Sequence, residues 1–254
     1  MLEIIQLAVL EDNYIYVLHD RQSQATAVVD PALARPVLDT LSANNWQLDY
    51  IFNTHQHWDH VGGNLELKQK TACKIIASVH DQQRIPGIDI TVAEGDKLAL
   101  GTRQISIIET PGHTNGHIVY YFADDQALFC GDTLFAMGCG RLFEGTARQM
   151  WQSLQKLKQL PETTRIYCAH EYTQHNARFA LSVEPGNIVL QQRIKDVDQL
   201  RAKNLPTIPT QLKIELQTNP FLRGDSRNLQ ETITMSGKSP LEIFTKTRQL
   251  KDRY

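Results

Sequence analysis

The chain opens on three apolar runs, IIQLAVL, YIYVLHD and ATAVVD, which polar turns separate and which read as strands. A helix is expected around residues 36–44, then the strand DYIFNTH running into His55. The alternation continues with a helical NLELKQK, a strand CKIIAS and a hairpin pair across KLALGTRQISIIET. HIVYYFADDQALFCGD predicts a second hairpin, two apolar runs turning at Asp124 and Asp125. Met150, Leu154 and Leu157 fall at i, i+4 and i+7, which marks an amphipathic helix before Pro161. RIYCAHE is the last expected strand.

After Tyr172 the texture changes. Strand-like runs give way to Leu190, Ile194, Val197 and Arg201 at helical spacing, then to a proline-rich joint, LPTIPT. Ser239-Pro240-Leu241-Glu242 carries a capping-box pattern with proline at the first helical position, so a final helix starts there. The pattern predicts a mixed α/β catalytic domain over residues 1–172 and a smaller, mostly helical domain over residues 173–254.

A chain of 254 residues can bury a sizeable core, and 41% hydrophobic content is ordinary for a soluble globule. With 26 basic and 28 acidic residues the net charge is −2, which argues against a nucleic-acid or membrane partner. The four cysteines, Cys73, Cys130, Cys139 and Cys168, form no C-x-x-C pair and suit reduced thiols. No basic leader region and no apolar stretch of about 18 residues stands out. A cytoplasmic monomer is expected.

Nine histidines are present, and their positions are not random. Thr54-His55-Gln56-His57-Trp58-Asp59-His60 follows the strand IFN. ISIIE leads into Thr110-Pro111-Gly112-His113, ALFC into Gly131-Asp132, and RIYCA into His170. One histidine at a strand end is usually structural, and His19, His80, His117 and His175 are read that way. Four strand ends carrying His and Asp are a different matter, because α/β folds build sites at one edge of a sheet. A divalent metal takes about four N or O ligands at roughly 2.0–2.2 Å, and neutral imidazole is a good donor. His55, His57 and His113 can converge on one ion, and Asp59, His60 and His170 on a second. Asp132 supplies a carboxylate to bridge both.

THQHWDH, TPGHTNGH, FCGDTLF and CAHEYT resemble the successive metal-binding motifs of the metallo-β-lactamase superfamily. The resemblance covers the first ~170 residues and implies an α/β fold, an αββα sandwich of two mixed sheets flanked by helices. Within the superfamily, Gly138-Cys139-Gly140-Arg141-Leu142-Phe143-Glu144-Gly145, His170-Glu171-Tyr172-Thr173 and Asn219-Pro220-Phe221-Leu222-Arg223 are similar to glyoxalase II, the hydroxyacylglutathione hydrolases. That family hydrolyses S-D-lactoylglutathione to D-lactate and glutathione, the second step of methylglyoxal detoxification. The resemblance implies that Arg141, Phe143, Tyr172, Arg248 and Lys251 hold the glutathione moiety. Animal members have lysine and tyrosine where this chain has Arg141 and Phe143. The arginine keeps the charge, whereas the phenylalanine lacks a hydroxyl that could bond the substrate.

The expected chemistry is thioester hydrolysis by a hydroxide shared between two divalent metals, whose water ionises near pH ~7. Asp59 and Asp132 are the catalytic carboxylates, one orienting the hydroxide and the other bridging the metals. A thiolate leaving group needs little acid assistance, since thiols ionise near pH ~8.5. Zinc is the default for such ligands, with iron and manganese compatible. The alternative reading is another hydrolase of the same fold, a nuclease or a lactonase. A nuclease would want a basic exosite, which the near-neutral charge disfavours.

Overall fold

The computed structural model describes residues 2–254. The chain forms two compact units. The first runs to Glu109 and resumes over Asn115–Gly131; the second comprises Thr110–Thr114 and Asp132–Tyr254.

In the first unit, β1 (Leu2–Val9) and β2 (Asn13–Asp20) form an antiparallel hairpin in which Val9 faces Asn13, and β3 (Ala25–Val29) continues the meander. The chain then changes topology. Helix α1 (Ala34–Asn44) carries it across to β4 (Tyr50–Phe52), parallel to β3. Helices α2 (Trp58–Val61) and α3 (Asn64–Thr71) lead to β5 (Lys74–Ser78), again parallel, and β6 (Ile90–Val92) closes the order β1-β2-β3-β4-β5-β6. Parallel neighbours need such crossovers, whereas the first three strands need only turns. Helix α1 ends because Asn45 adopts the left-handed conformation and turns its N–H back to the carbonyls of Leu41 and Ser42.

Alternation along β2 explains the layers. Ile15 and Val17 join Val28, Ile51 and Ile75 in one apolar cluster with Val37 and Leu41 of α1 and Leu67 of α3. The intervening Tyr16 points the other way, its ring meeting Phe129 edge-on at 5.4 Å. Phe52 stacks on Tyr120 at 5.0 Å on that same inner side. These partners belong to a second antiparallel layer, β7 (Lys97–Leu100), β8 (Arg103–Glu109), β9 (Ile118–Phe122) and β10 (Ala127–Gly131). Every residue of β9 and β10 is buried. That accounts for the unbroken apolar runs IVYYF and ALFC, each buried aliphatic or aromatic side chain contributing about 1.5–3 kcal/mol.

The second unit begins with a tight hairpin, β11 (Leu134–Phe135) and β12 (Gly138–Cys139). Helix α4 (Ala147–Lys158) starts on a Thr146–Gln149 capping box and buries Met150, Leu154 and Leu157, the face its spacing predicts. Strand β13 (Arg165–Cys168) pairs with a two-residue β14 (Thr210–Gln211). The second strand starts on the last residue of the proline-rich stretch LPTIPT and ends just beyond it; two residues are too few to show periodicity. The rest is helical: α5 (Thr173–Val183), α6 (Ile188–Arg201), α7 (Leu212–Thr218), α8 (Arg227–Thr232) and α9 (Pro240–Lys251). Ser239 and Glu242 form the expected capping box on α9. All four cysteines are buried and outside any disulfide. Among the described residues, no helix is long and apolar enough to cross a membrane.

Candidate metal centre and substrate pocket

In the first unit the candidate ligands follow the carboxyl ends of the parallel strands. The loop after β4 delivers His55 and His57, and α2 starts immediately behind them, placing Asp59 and His60 on a single helical turn. Nε2 of His55 lies 3.0 Å from Nδ1 of His57, so two basic nitrogens converge. Nε2 of His60 lies 3.6 Å from Oδ2 of Asp59.

Asp30, just past β3, organises this cluster although no sequence expectation had singled it out. It is 3% exposed. Its carboxylate accepts from the Thr54 N–H at 2.8 Å and the Thr54 hydroxyl at 2.6 Å. It also accepts from Nδ1 of His60 at 3.0 Å. Because a carboxylate only accepts, the His60 proton sits on Nδ1 and its Nε2 lone pair faces outward to Asp59. Thr54 Oγ1 in turn lies 3.0 Å from Nδ1 of His55. Asn13, at the start of β2, donates to Oδ2 of Asp59 at 3.0 Å and to its backbone carbonyl at 3.2 Å. The signal for Asp30 was present, since ATAVVD ends a strand as FCGD does. Asn13 carried no comparable pattern. His117, read as structural, stacks on His55 with ring centres 4.9 Å apart and is fully buried. Gly131 is required beside them: a Cβ there would lie 2.3 Å from Thr54 Oγ1 and 2.9 Å from His117 Nε2, at φ +46°.

In the second unit, Thr110–Thr114 lies against the segment after β12. The Phe143 N–H donates to the His113 carbonyl at 3.2 Å and Gly145 to that of Gly112 at 3.1 Å. Nδ1 of His113 donates to the Arg141 carbonyl at 2.8 Å, which leaves its Nε2 lone pair directed elsewhere. That atom is 3.3 Å from Oδ2 of Asp132, and Nε2 of His170 is 3.4 Å from Oδ1. Asp132 therefore offers one oxygen to each imidazole. Two imidazole nitrogens and two carboxylate oxygens converging at 3.3 and 3.4 Å make a donor set of the kind a divalent ion takes.

Beside Asp132 and His113 opens a cavity of about 370 Å³, lined also by Arg141, Phe143, Tyr172 and Lys251. The Tyr172 ring stacks on His170, 4.7 Å away and nearly parallel. Phe143 meets His113 edge-on at 5.2 Å and is 60% exposed, open to a ligand. The two cations of α9 behave differently. Arg248 is buried, donating to the Cys139 carbonyl at 2.9 Å and to Asp252, with its guanidinium 5.1 Å from the Phe221 ring centre. Lys251 Nζ is buried with no hydrogen-bond partner, flanked by the Phe179 and Tyr254 rings at 5.1 and 5.2 Å. Burial, with the nearby Arg248 charge, lowers its pKa from the usual 10.5 to about 8. A larger cavity of about 600 Å³ lies by α1 and α3, lined by Trp46, Lys70 and Lys74, but no histidine or cysteine borders it.

Comparison with known proteins identifies the family. The profile described as Metallo-beta-lactamase superfamily matches residues 10–170, and that described as Hydroxyacylglutathione hydrolase C-terminus matches residues 171–254. The chain is 52% identical to a hydroxyacylglutathione hydrolase of Methylococcus capsulatus, covering 99% of this chain and 98% of that one. It is 53% identical to one from Rhodospirillum rubrum over 100% and 99%. Among solved structures, ETHE1 from Myxococcus xanthus superposes with a TM-score of 0.68 at 24% identity over 98% of each chain. The BLEG-1 B3 metallo-beta-lactamase does so at 0.66 and 22%, covering 88% of this chain and 100% of that one. Those likenesses show the fold, the α/β sandwich with a helical C-terminal part. The chain belongs to the hydroxyacylglutathione hydrolases of the metallo-β-lactamase superfamily.

Proposed function

We propose that this chain hydrolyses S-D-lactoylglutathione to D-lactate and glutathione, the second step of methylglyoxal detoxification. The observation that carries the reading is the buried, unbonded Lys251 amine in a cavity that also reaches Asp132 and His113. An anionic tail docked on that amine would leave the rest of the molecule extending toward the candidate ligands.

The proposed ligands are His55, His57 and His113 for one ion and Asp59, His60 and His170 for the other, with Asp132 shared. Zinc suits this set, and iron or manganese is compatible. When bound, such a pair supplies a water that ionises near neutral pH and a Lewis acid for the carbonyl oxygen. The chain's own residues do the remainder. Asp30 and the Arg141 carbonyl hold the Nδ1 protons of His60 and His113, fixing the orientation of both rings. Asn13 sets the rotamer of Asp59, which orients the attacking oxygen. Lys251 attracts a glutathione carboxylate, Arg248 adds positive charge behind it, and Arg141, Phe143 and Tyr172 wall the tail. The departing thiolate is stable enough to leave with little acid assistance.

Residues 173–254 serve here as the substrate-holding part, and 1–172 as the catalytic part. A net charge of −2 gives no drive toward nucleic acid or anionic lipid, consistent with a monomeric cytoplasmic enzyme of small thioesters. The test is loss of lactoylglutathione thioester absorbance in the ultraviolet, with metal analysis of the same preparation. Absence of turnover in protein holding two metals would reject the substrate assignment.

A further inference from the structure

The motif Asn219-Pro220-Phe221-Leu222-Arg223 has no part in the chemistry described above. Asn219 is fully buried at the end of α7, and its side chain reaches the β11–β12 hairpin. Nδ2 donates to the Phe135 carbonyl at 3.1 Å and the Gly138 carbonyl at 2.9 Å, and it lies 3.1 Å from Oε2 of Glu215. Its Oδ1 accepts from the Phe221 N–H at 3.1 Å, which fixes the amide's orientation. Glu215, also fully buried, accepts the Met137 N–H at 2.8 Å. The other Glu215 oxygen is held by Arg193 and by Thr210 at 2.7 Å. Asn176 takes the Ala136 carbonyl at 3.1 Å and Arg248 that of Cys139 at 2.9 Å. The backbone from 135 to 139 is thus gripped residue by residue from the helical part.

A two-residue strand pair cannot hold itself, and Met137 sits at φ 54°, a conformation unfavourable for an L side chain. Such a turn persists only when its surroundings over-determine it. The hairpin leads directly into the pocket wall: Cys139, then Arg141 and Phe143, with the Arg141 carbonyl orienting His113. We propose that Asn219, locked by Glu215, is a positioning residue for the hydrolysis: it sets the hairpin and thereby the wall that receives the glutathione moiety. This rests on the reading of the cavity as the glutathione site. It assigns the motif a role in substrate affinity, not in the chemical step.

The test uses the metal-loaded full chain. Asn219→Ala should raise KM for lactoylglutathione about tenfold, one buried amide's worth of misplacement, while kcat changes less than threefold and two metals remain. KM for a simple thioester without the glutathione tail should stay within about twofold. Ser226→Ala, which removes the N-cap of α8 away from the hairpin, controls for lost stability and should leave KM unchanged. Asn219→Ser serves as a milder second variant. Hydrogen exchange of the wild type should show the Met137 amide among the slow ones, and exchange over 134–139 should accelerate in either variant. An unchanged KM in a folded Asn219 variant, or fast exchange at Met137 in the wild type, overturns the proposal. Lys251→Ala keeps the two readings apart. If it raises KM and Asn219→Ala does not, the positioning role falls alone; if the wild type does not turn over lactoylglutathione, the substrate assignment falls.

Discussion

The Asp30 carboxylate lies 3.0 Å from Nδ1 of His60, and the pair is almost wholly buried at 3% and 1% exposure. This contact sets the tautomer of a candidate metal ligand, and through Thr54 the same carboxylate steadies His55. Loss of a carboxylate behind a ligating histidine generally costs about 10–100-fold in metal affinity or activity. Asp30→Ala is expected to fall in that range, measured as kcat/KM and as metal retained after dialysis against a weak chelator. Asp30→Asn should be milder, since its amide oxygen can still accept from His60. Full metal content and activity in Asp30→Ala would show that the histidines hold their orientation unaided.

Asp132 presents an oxygen to each of His113 and His170, at 3.3 and 3.4 Å. Asp132→Ala is expected to lose turnover nearly completely and to drop below two metals per chain, because no other carboxylate of the proposed set can be shared. Atomic spectroscopy on protein purified without chelator provides the count. One tightly held metal at full activity in the wild type would contradict the dinuclear reading.

Lys251 links affinity and stability to pH. Its folded pKa, lowered by burial and by Arg248 to about 8, lies below the ordinary 10.5. The unfolded chain therefore binds more protons between those values, and stability must rise with pH across that window. Below about pH 8 the ammonium is charged in both states and the burial penalty is felt in full. Lys251→Met should accordingly melt higher than wild type at pH 7, and the gap should narrow as pH rises from about 8 toward 10.5. Substrate binding moves the other way, because a carboxylate needs the ammonium. KM for lactoylglutathione should climb through pH ~8 in the wild type, stay flat in Lys251→Arg, and be several-fold higher at pH 7 in Lys251→Met. A wild-type KM independent of pH between 7 and 9 would detach this amine from the substrate.

Phe143 is exposed at the cavity and rests its edge on His113. Phe143→Tyr adds a hydroxyl where the chain has none, and a single new hydrogen bond corresponds to about 0.5–1.5 kcal/mol. KM should fall by roughly 2–10-fold at nearly constant kcat. Phe143→Ala should raise KM for the glutathione thioester. Steady-state kinetics on both variants decides whether this ring touches substrate.

Truncation after residue 172 cuts through the second compact unit, which extends over Asp132–Tyr254. It removes Asn176, Glu215, Asn219 and Arg248 from the backbone groups of Phe135, Ala136, Met137, Gly138 and Cys139. Each lost bond is worth about 0.5–1.5 kcal/mol net, in sum a sizeable share of the stability of an ordinary domain. The truncated chain is expected to lose cooperative thermal unfolding by circular dichroism. A sharp transition near that of the full chain would mean the hairpin needs no clasp.

Much of the fold was legible because it is written in local periods. Unbroken apolar runs mark β9 and β10, the i, i+4, i+7 spacing marks α4, and Ser239 with Glu242 marks the start of α9. The seven candidate ligands stood out as candidates for a similar reason: strand-end His and Asp recur in a pattern that single residues would not make. The short β6 and β14 were not legible, since three and two residues show no period and exist only through a neighbour's ladder.

The layered α/β character, the helical texture after Tyr172 and the set of groups able to bind metal are therefore properties of the chain alone. How those groups are held is settled by packing between distant segments. Asp30 and Asn13 meet His60 and Asp59 across 30 and 46 residues of chain, and Asn219 meets the hairpin across more than 80. Packing also distinguished two cations three residues apart that both line the cavity, tying Arg248 to the Cys139 carbonyl while leaving the Lys251 amine without a hydrogen bond. The physical reason is common to all of these. Periodicity reports which face of an element is apolar, whereas the partner of a buried polar group is chosen by whatever distant chain folds against it.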